Sequence, residues 1–110
     1  MPDTQQFDLQ HMQAAATRAC KLLKVLGNPD RLLLLCQLSQ GEYAVGELEG
    51  LLGIAQPTLS QQLGVLREER LVGTRREGKQ IFYRIDSAAA LAVMQVLYQH
   101  FCLPNQGIAT

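Results

Sequence analysis

Apolar residues in the first quarter of the chain recur at helical spacing. From about Leu9 to Leu26, Ala15, Ala16, Leu22, Leu23 and Leu26 fall on one side, and Arg18, Lys21 and Lys24 on the other. Gly27 stops this first helix. Asn28-Pro29 restarts one, with Asn as N-cap and Pro at the first helical position. The second helix runs through the dense apolar stretch Leu32 to Leu35 and ends near Gly41. A short third helix, Gly46 to Leu52, stops at Gly53. Pro57 sits in the first turn of a fourth, which continues to about Arg70 and buries Leu59, Leu63 and Leu66.

After Leu71 the texture changes. Residues 71–76 and 80–85 are β-prone, and Ile81, Tyr83 and Ile85 alternate with Phe82 and Arg84. Glu77-Gly78-Lys79 supplies the turn of a basic hairpin. From Ser87 a last helix carries Leu91, Met94, Leu97, Tyr98 and Phe101 and ends before Pro104. The order ααααββα predicts a mainly α (α+β) fold of winged helix-turn-helix type. It occupies one domain over residues 1–110, with an ordered core of about 9–103 and a loose tail at 104–110.

Composition narrows the partners. Of 110 residues 47% are hydrophobic, enough for a packed core, and ten Lys+Arg balance ten Asp+Glu. A neutral chain is not an obvious DNA binder, but recognition depends on where the charges sit. Between Arg67 and Arg84 stand six basic residues (Arg67, Arg70, Arg75, Arg76, Lys79, Arg84) against three acidic ones (Glu68, Glu69, Glu77). The N-terminus is polar and acidic, unlike a secretory signal, and the longest unbroken apolar stretch, Ala88 to Met94, is too short for a bilayer span. A cytoplasmic location is therefore expected, with no membrane partner. Three widely spaced cysteines without a CxxC pair do not make a disulfide framework.

The third and fourth helices are joined by Gly53-Ile54-Ala55, short and glycine-containing, as a helix-turn-helix requires. Gln56, Thr58, Ser60, Gln61 and Gln62 then present short or amide side chains from the first half of the fourth helix. Such groups hydrogen-bond base edges in the major groove, where Gln suits adenine and Ser or Thr are versatile. Arg67, together with Arg75, Arg76, Lys79 and Gln80 of the hairpin, would reach flanking phosphates or the minor groove. Any one of these residues alone reads equally as solvated surface. The ordered set points to double-stranded operator DNA.

At these residues the chain resembles the ArsR family of small bacterial repressors, from about Gln13 to Cys102. The resemblance is carried by Leu22-Leu23-Lys24-Val25-Leu26-Gly27-Asn28-Pro29-Asp30-Arg31-Leu32, by Val45-Gly46-Glu47-Leu48, by Gln56-Pro57-Thr58-Leu59-Ser60-Gln61-Gln62-Leu63, and by Gln80-Ile81-Phe82-Tyr83-Arg84. It implies a homodimer through the first and last helices, and a repressor that leaves DNA when an inducer arrives. The stripe Leu91, Met94, Leu97 and Tyr98 is expected to contribute to that interface.

The family's metal sensors use cysteines on the third helix, or carboxylates and histidines on the last. Here the third helix has no Cys and the last helix only His100, so no metal or cofactor is expected and metal sensing stays an alternative. Cys36 and Cys102 are similar in context to the two cysteines of the family's persulfide-sensing branch. By that resemblance reactive sulfur species link them through a polysulfide or disulfide and release the DNA. Cys102, at the helix end and nearer solvent, is expected to attack and Cys36 to resolve. A pair held beyond disulfide reach would favour the polysulfide. A peroxide-made disulfide is the other redox alternative, and the role of Cys20 stays open. Cys36 alone, inside an apolar run, reads as core. An enzyme is not expected: Ser60 has no plausible base nearby in sequence, there is no Gly-rich phosphate loop, and sulfurtransferase chemistry at a lone thiolate sits poorly with a helix-turn-helix.

Overall fold

The computed structural model of the chain describes residues 8–102, so the tail expected at 104–110 lies outside the described residues. The elements run α1 (Leu9–Leu26), α2 (Pro29–Leu38), β1 (Tyr43–Ala44), α3 (Val45–Leu52), α4 (Thr58–Glu68), β2 (Val72–Glu77), β3 (Gln80–Ile85) and α5 (Ala88–Leu97), closing in a π-helical turn, Tyr98–Cys102. This is a mainly helical winged helix-turn-helix.

Polar side chains start three of the helices. Asp8 accepts the His11 N–H at 2.7 Å, Asn28 the Arg31 N–H at 3.0 Å, and Ser87 the Ala90 N–H at 3.1 Å, each taking up a donor that the first helical turn leaves free. Before α3 the roles reverse, and Glu47 reaches back to accept the Ala44 N–H at 2.8 Å. The core is nearly all aliphatic. Leu34, Leu35, Leu48, Leu59, Leu63, Leu66 and Met94 are fully buried, so α2, α3, α4 and α5 converge on one centre.

Three features depart from the sequence expectation. A two-residue strand, β1, adds to the hairpin and gives an antiparallel sheet of order β1-β3-β2, with Tyr43 opposite Tyr83 and Ala44 opposite Phe82. Two residues are too few for a period-2 pattern. The last helix widens to a π turn from Tyr98. Met94, expected in a dimer stripe, is wholly inside the protomer core, while Val96, Tyr98 and Phe101 carry the exposed apolar surface of that segment.

α1 stands largely uncovered. Only Val25 and Leu26 at its end are buried, whereas Leu9, Met12 and Leu23 are exposed.

Candidate nucleic-acid interface and dithiol site

α3, its turn and α4 form the reading head. Gly53 caps α3 at φ 69°, a left-handed conformation that favours glycine, and its N–H returns to the Glu49 carbonyl at 3.0 Å. The chain then swings through buried Ile54, and Leu59, Leu63 and Leu66 hold α4 onto the core. The opposite face carries Gln56, Thr58, Ser60, Gln61 and Arg67, all exposed. The Ser60 hydroxyl donates to the Gln56 side-chain oxygen one turn earlier, which orders that pair.

Gln62 is placed differently from its neighbours. It is half-buried, and its side-chain oxygen accepts from Arg31 Nη1 at 3.0 Å. Arg31 Nε donates in turn to the Val25 carbonyl at 2.7 Å. One guanidinium thus joins the end of α1, the first turn of α2 and the middle of α4. Sequence reasoning missed Arg31 as a functional residue, and its place inside the Asn-Pro-Asp-Arg helix start was the available signal.

On the wing, Arg75 is already engaged. Its guanidinium meets Glu42 at 2.8 Å and Glu77 at 3.2 Å and lies over the Phe82 ring, 4.5 Å from the centroid. Hydrogen bonds to Glu42 and then Glu77 hold its proton more tightly than usual. These contacts tie the wing to the segment before β1, leaving Arg75 less available to a phosphate than its type suggests. Arg76 Nε donates to the Gly78 carbonyl at 3.2 Å, across the turn that Gly78 makes at φ 63°. Lys79 and Gln80 are exposed at the tip.

The second site lies where α2 meets the π turn. Cys36 and Cys102 are neighbours on the wall of one cavity. With Leu32, Met94, Leu97 and Phe101 they line a cavity of about 280 Å³. Cys36 is half-buried and Cys102 exposed. Burial, reinforced by the neighbouring Cys102, pushes the Cys36 thiol above its ordinary pKa. Cys20, exposed on α1, does not line this cavity. Among the described residues no three His, Cys, Asp or Glu side chains gather as a metal site would need.

Comparison with known proteins fits this layout. Residues 28–74, from the start of α2 into β2, match the family model for the bacterial regulatory protein, arsR family. Over 106 residues the chain is 52% identical to the biofilm growth-associated repressor of Agrobacterium fabrum, covering 96% of this chain and 91% of that protein. The chain belongs to the ArsR family. Among solved structures, the repressor BigR of Xylella fastidiosa superposes with a TM-score of 0.80 at 53% identity, over 86% of this chain and 94% of that one. Reduced HlyU of Vibrio cholerae gives 0.83 at 39% identity, over 86% and 100%. The ArsR-family match contains the reading head, Arg31 and Cys36, whereas Cys102 lies beyond it and belongs to the part shared with the longer relatives. No helix among the described residues is long and apolar enough to cross a membrane.

Proposed function

We propose that this ArsR-family chain is a homodimeric transcriptional repressor that holds operator DNA while Cys36 and Cys102 are reduced, and releases it when reactive sulfur species link them. The observation that carries the reading is that two cysteines, 66 residues apart in sequence, line one cavity between α2 and the end of the last helix. Resemblance to proteins named repressors, one of them BigR, supports the sign of the regulation.

Gln56, Thr58, Ser60 and Gln61 read base edges in the major groove, while Arg67, Arg76, Lys79 and Gln80 meet the backbone or the minor groove. Gln62 and Arg75 act mainly by holding the head and the wing in place. The two heads of the dimer engage half-sites about 34 Å apart, so the operator is a palindrome.

The switch is a thiol exchange. The Cys102 thiolate attacks the outer sulfur of a hydropersulfide RSSH. The S–S bond breaks and RSH departs, leaving a Cys102 persulfide. Cys36, once deprotonated, attacks the Cys102 sulfur, a disulfide forms and hydrosulfide leaves. The two cysteines are oxidised, and the RSSH is reduced to RSH and H₂S. Further sulfur transfer before closure would give a polysulfide bridge. Either link clamps α2 to the last helix, and Arg31 on α2 passes the change to α4 through Gln62. A coupling of about 1–3 kcal/mol is enough to shift DNA occupancy 5- to 150-fold.

The shared cavity also suits a second reading, in which peroxide makes the disulfide directly with loss of water. Intact-mass analysis and operator binding after parallel treatment with polysulfide, peroxide and zinc separate them. The proposal expects sulfur addition or loss of two hydrogens at this pair, with DNA release, under polysulfide. Release by peroxide alone selects the second reading, and release by zinc alone overturns both.

A further inference from the structure

Arg75 ties the three strands of the wing sheet together on one face. It stands on β2 opposite Phe82 of β3, and Phe82 in turn stands opposite Ala44 of β1. Glu42, two residues before Ala44, falls on that same face by strand alternation. The Arg75 guanidinium lies over the Phe82 ring, 4.5 Å from its centroid, and Nε donates to the Glu42 carboxylate at 2.8 Å. Glu77 accepts from Nη1 at 3.2 Å but belongs to β2 itself, so that bond joins no second element. Glu42 is therefore the outer anchor. β1 is only two residues long and runs directly into α3, whose start is fixed by Glu47 accepting the Ala44 N–H at 2.8 Å. So short a strand gives little ladder to fix the tilt of the hairpin, and the Glu42–Arg75 bond supplies a second point of attachment.

We infer that Glu42 is a positioning residue for DNA binding: through Arg75 it holds the wing at a fixed tilt to the α3–α4 reading head, without touching DNA. This rests on the DNA-binding half of the function proposed above and is independent of the thiols. It reverses the sign that charge alone gives. A carboxylate close to a phosphate backbone repels it, so neutralising one should tighten binding. Removing Glu42 should instead weaken binding, because a wing free to tilt loses more conformational freedom when it docks. With the Arg75 and Glu42 side chains 46% and 30% exposed, solvent screens the pair and the effect stays modest.

The test uses the full-length reduced protein and a fluorescent duplex that the parent selects from a random library, with affinity read by anisotropy across a salt series. Glu42→Ala should weaken binding by about threefold per wing, or about tenfold for a two-winged dimer, within what exposed ion pairs supply. Its salt slope should match the parent's, since no phosphate contact is lost. Glu77→Ala removes the same charge and serves as the control, with affinity equal to or above the parent's. Hydrogen exchange in Glu42→Ala should quicken at residues 42–44 and 80–85 while α4 keeps its parental protection, which separates a loosened wing from a loosened fold. Binding by Glu42→Ala as tight as the parent's, or with a steeper salt slope, overturns the inference and makes Arg75 a phosphate ligand that Glu42 masks. Equal weakening by Glu77→Ala, or faster exchange throughout the molecule, overturns it as well. Failure of the parent to enrich any duplex overturns the DNA-binding reading itself, and the role of Glu42 with it.

Discussion

Gln61 and Gln62 are chemically identical neighbours, and the fold gives them opposite surroundings. Successive helix positions are rotated by about 100°, so Gln61 faces outward while Gln62 turns back to Arg31. The glutamine-rich head was legible in the sequence. The inward turn of Gln62 was not, because it depends on a partner 31 positions away. Gln61→Ala is expected to relax preference at one base position per half-site, by about 1–3 kcal/mol. Gln62→Ala should weaken all operator sequences alike and lower the urea midpoint, since it strands a guanidinium donor. Binding to a panel of single-base operator variants distinguishes the two patterns. Cys36 gives a second prediction at this scale. Its raised pKa favours the neutral thiol, so any stability gained is full below the ordinary thiol pKa and is lost as pH rises through the folded value. The same protonation slows ring closure. Closure of the Cys36–Cys102 link should therefore accelerate steadily from about pH 7 to pH 9, the range in which thiols begin to ionise. A flat profile in quenched-flow mass analysis would contradict the raised pKa.

Helix ends explain which elements could be read ahead of the structure. Asn28-Pro29 and Gly53 mark their boundaries through local chemistry, and both boundaries fall within a residue or so of the positions expected. The π turn has no comparable signature. Tyr98 to Cys102 reads as more helix, and nothing in its local pattern encodes the widening. The end of α4 is a further case. Leu71 N–H returns to the Leu66 carbonyl at 2.9 Å and Arg70 N–H to Arg67 at 3.0 Å, the two bonds of a Schellman ending. The left-handed position that such an ending places before Leu71 is occupied by Arg70, at φ 64°, where glycine is usual. A side chain there costs about 1–2 kcal/mol, partly offset by the greater unfolded freedom of glycine. Arg70→Gly should thus stabilise the protein by about 0.5–1 kcal/mol, readable as a higher midpoint in urea. A lower midpoint would mean that the Arg70 side chain makes contacts outweighing its backbone strain.

For the whole molecule, the uncovered apolar surface is concentrated at the two ends of the chain. Leu23 is 59% exposed on α1, and Val96 and Phe101 are 55% and 67% exposed at the other end. The sequence pointed to these two helices as an interface but chose the stripe partly wrongly, because periodicity cannot say which apolar residue the protomer keeps for itself. Met94 went inward. A C₂ dimer would cover what remains. Light scattering at micromolar concentration should give twice the chain mass, and Leu23→Glu should lower dimerisation and operator affinity together. A Leu23→Glu monomer with undiminished operator affinity would separate assembly from DNA binding. In such a dimer small shifts of α2 would be applied to both heads at once, and under the proposed function a link between the two thiols would thereby cost register across two major grooves. The central claim is that Cys36 and Cys102 form the switch. Its most direct test is operator occupancy of the Cys36→Ser, Cys102→Ser double variant during polysulfide exposure, beside the unmodified protein. The account predicts that the variant binds operator with near-normal affinity and stays bound while the parent dissociates. Dissociation of the double variant at the parent's polysulfide concentration would show that the pair is only packing and that the signal enters elsewhere.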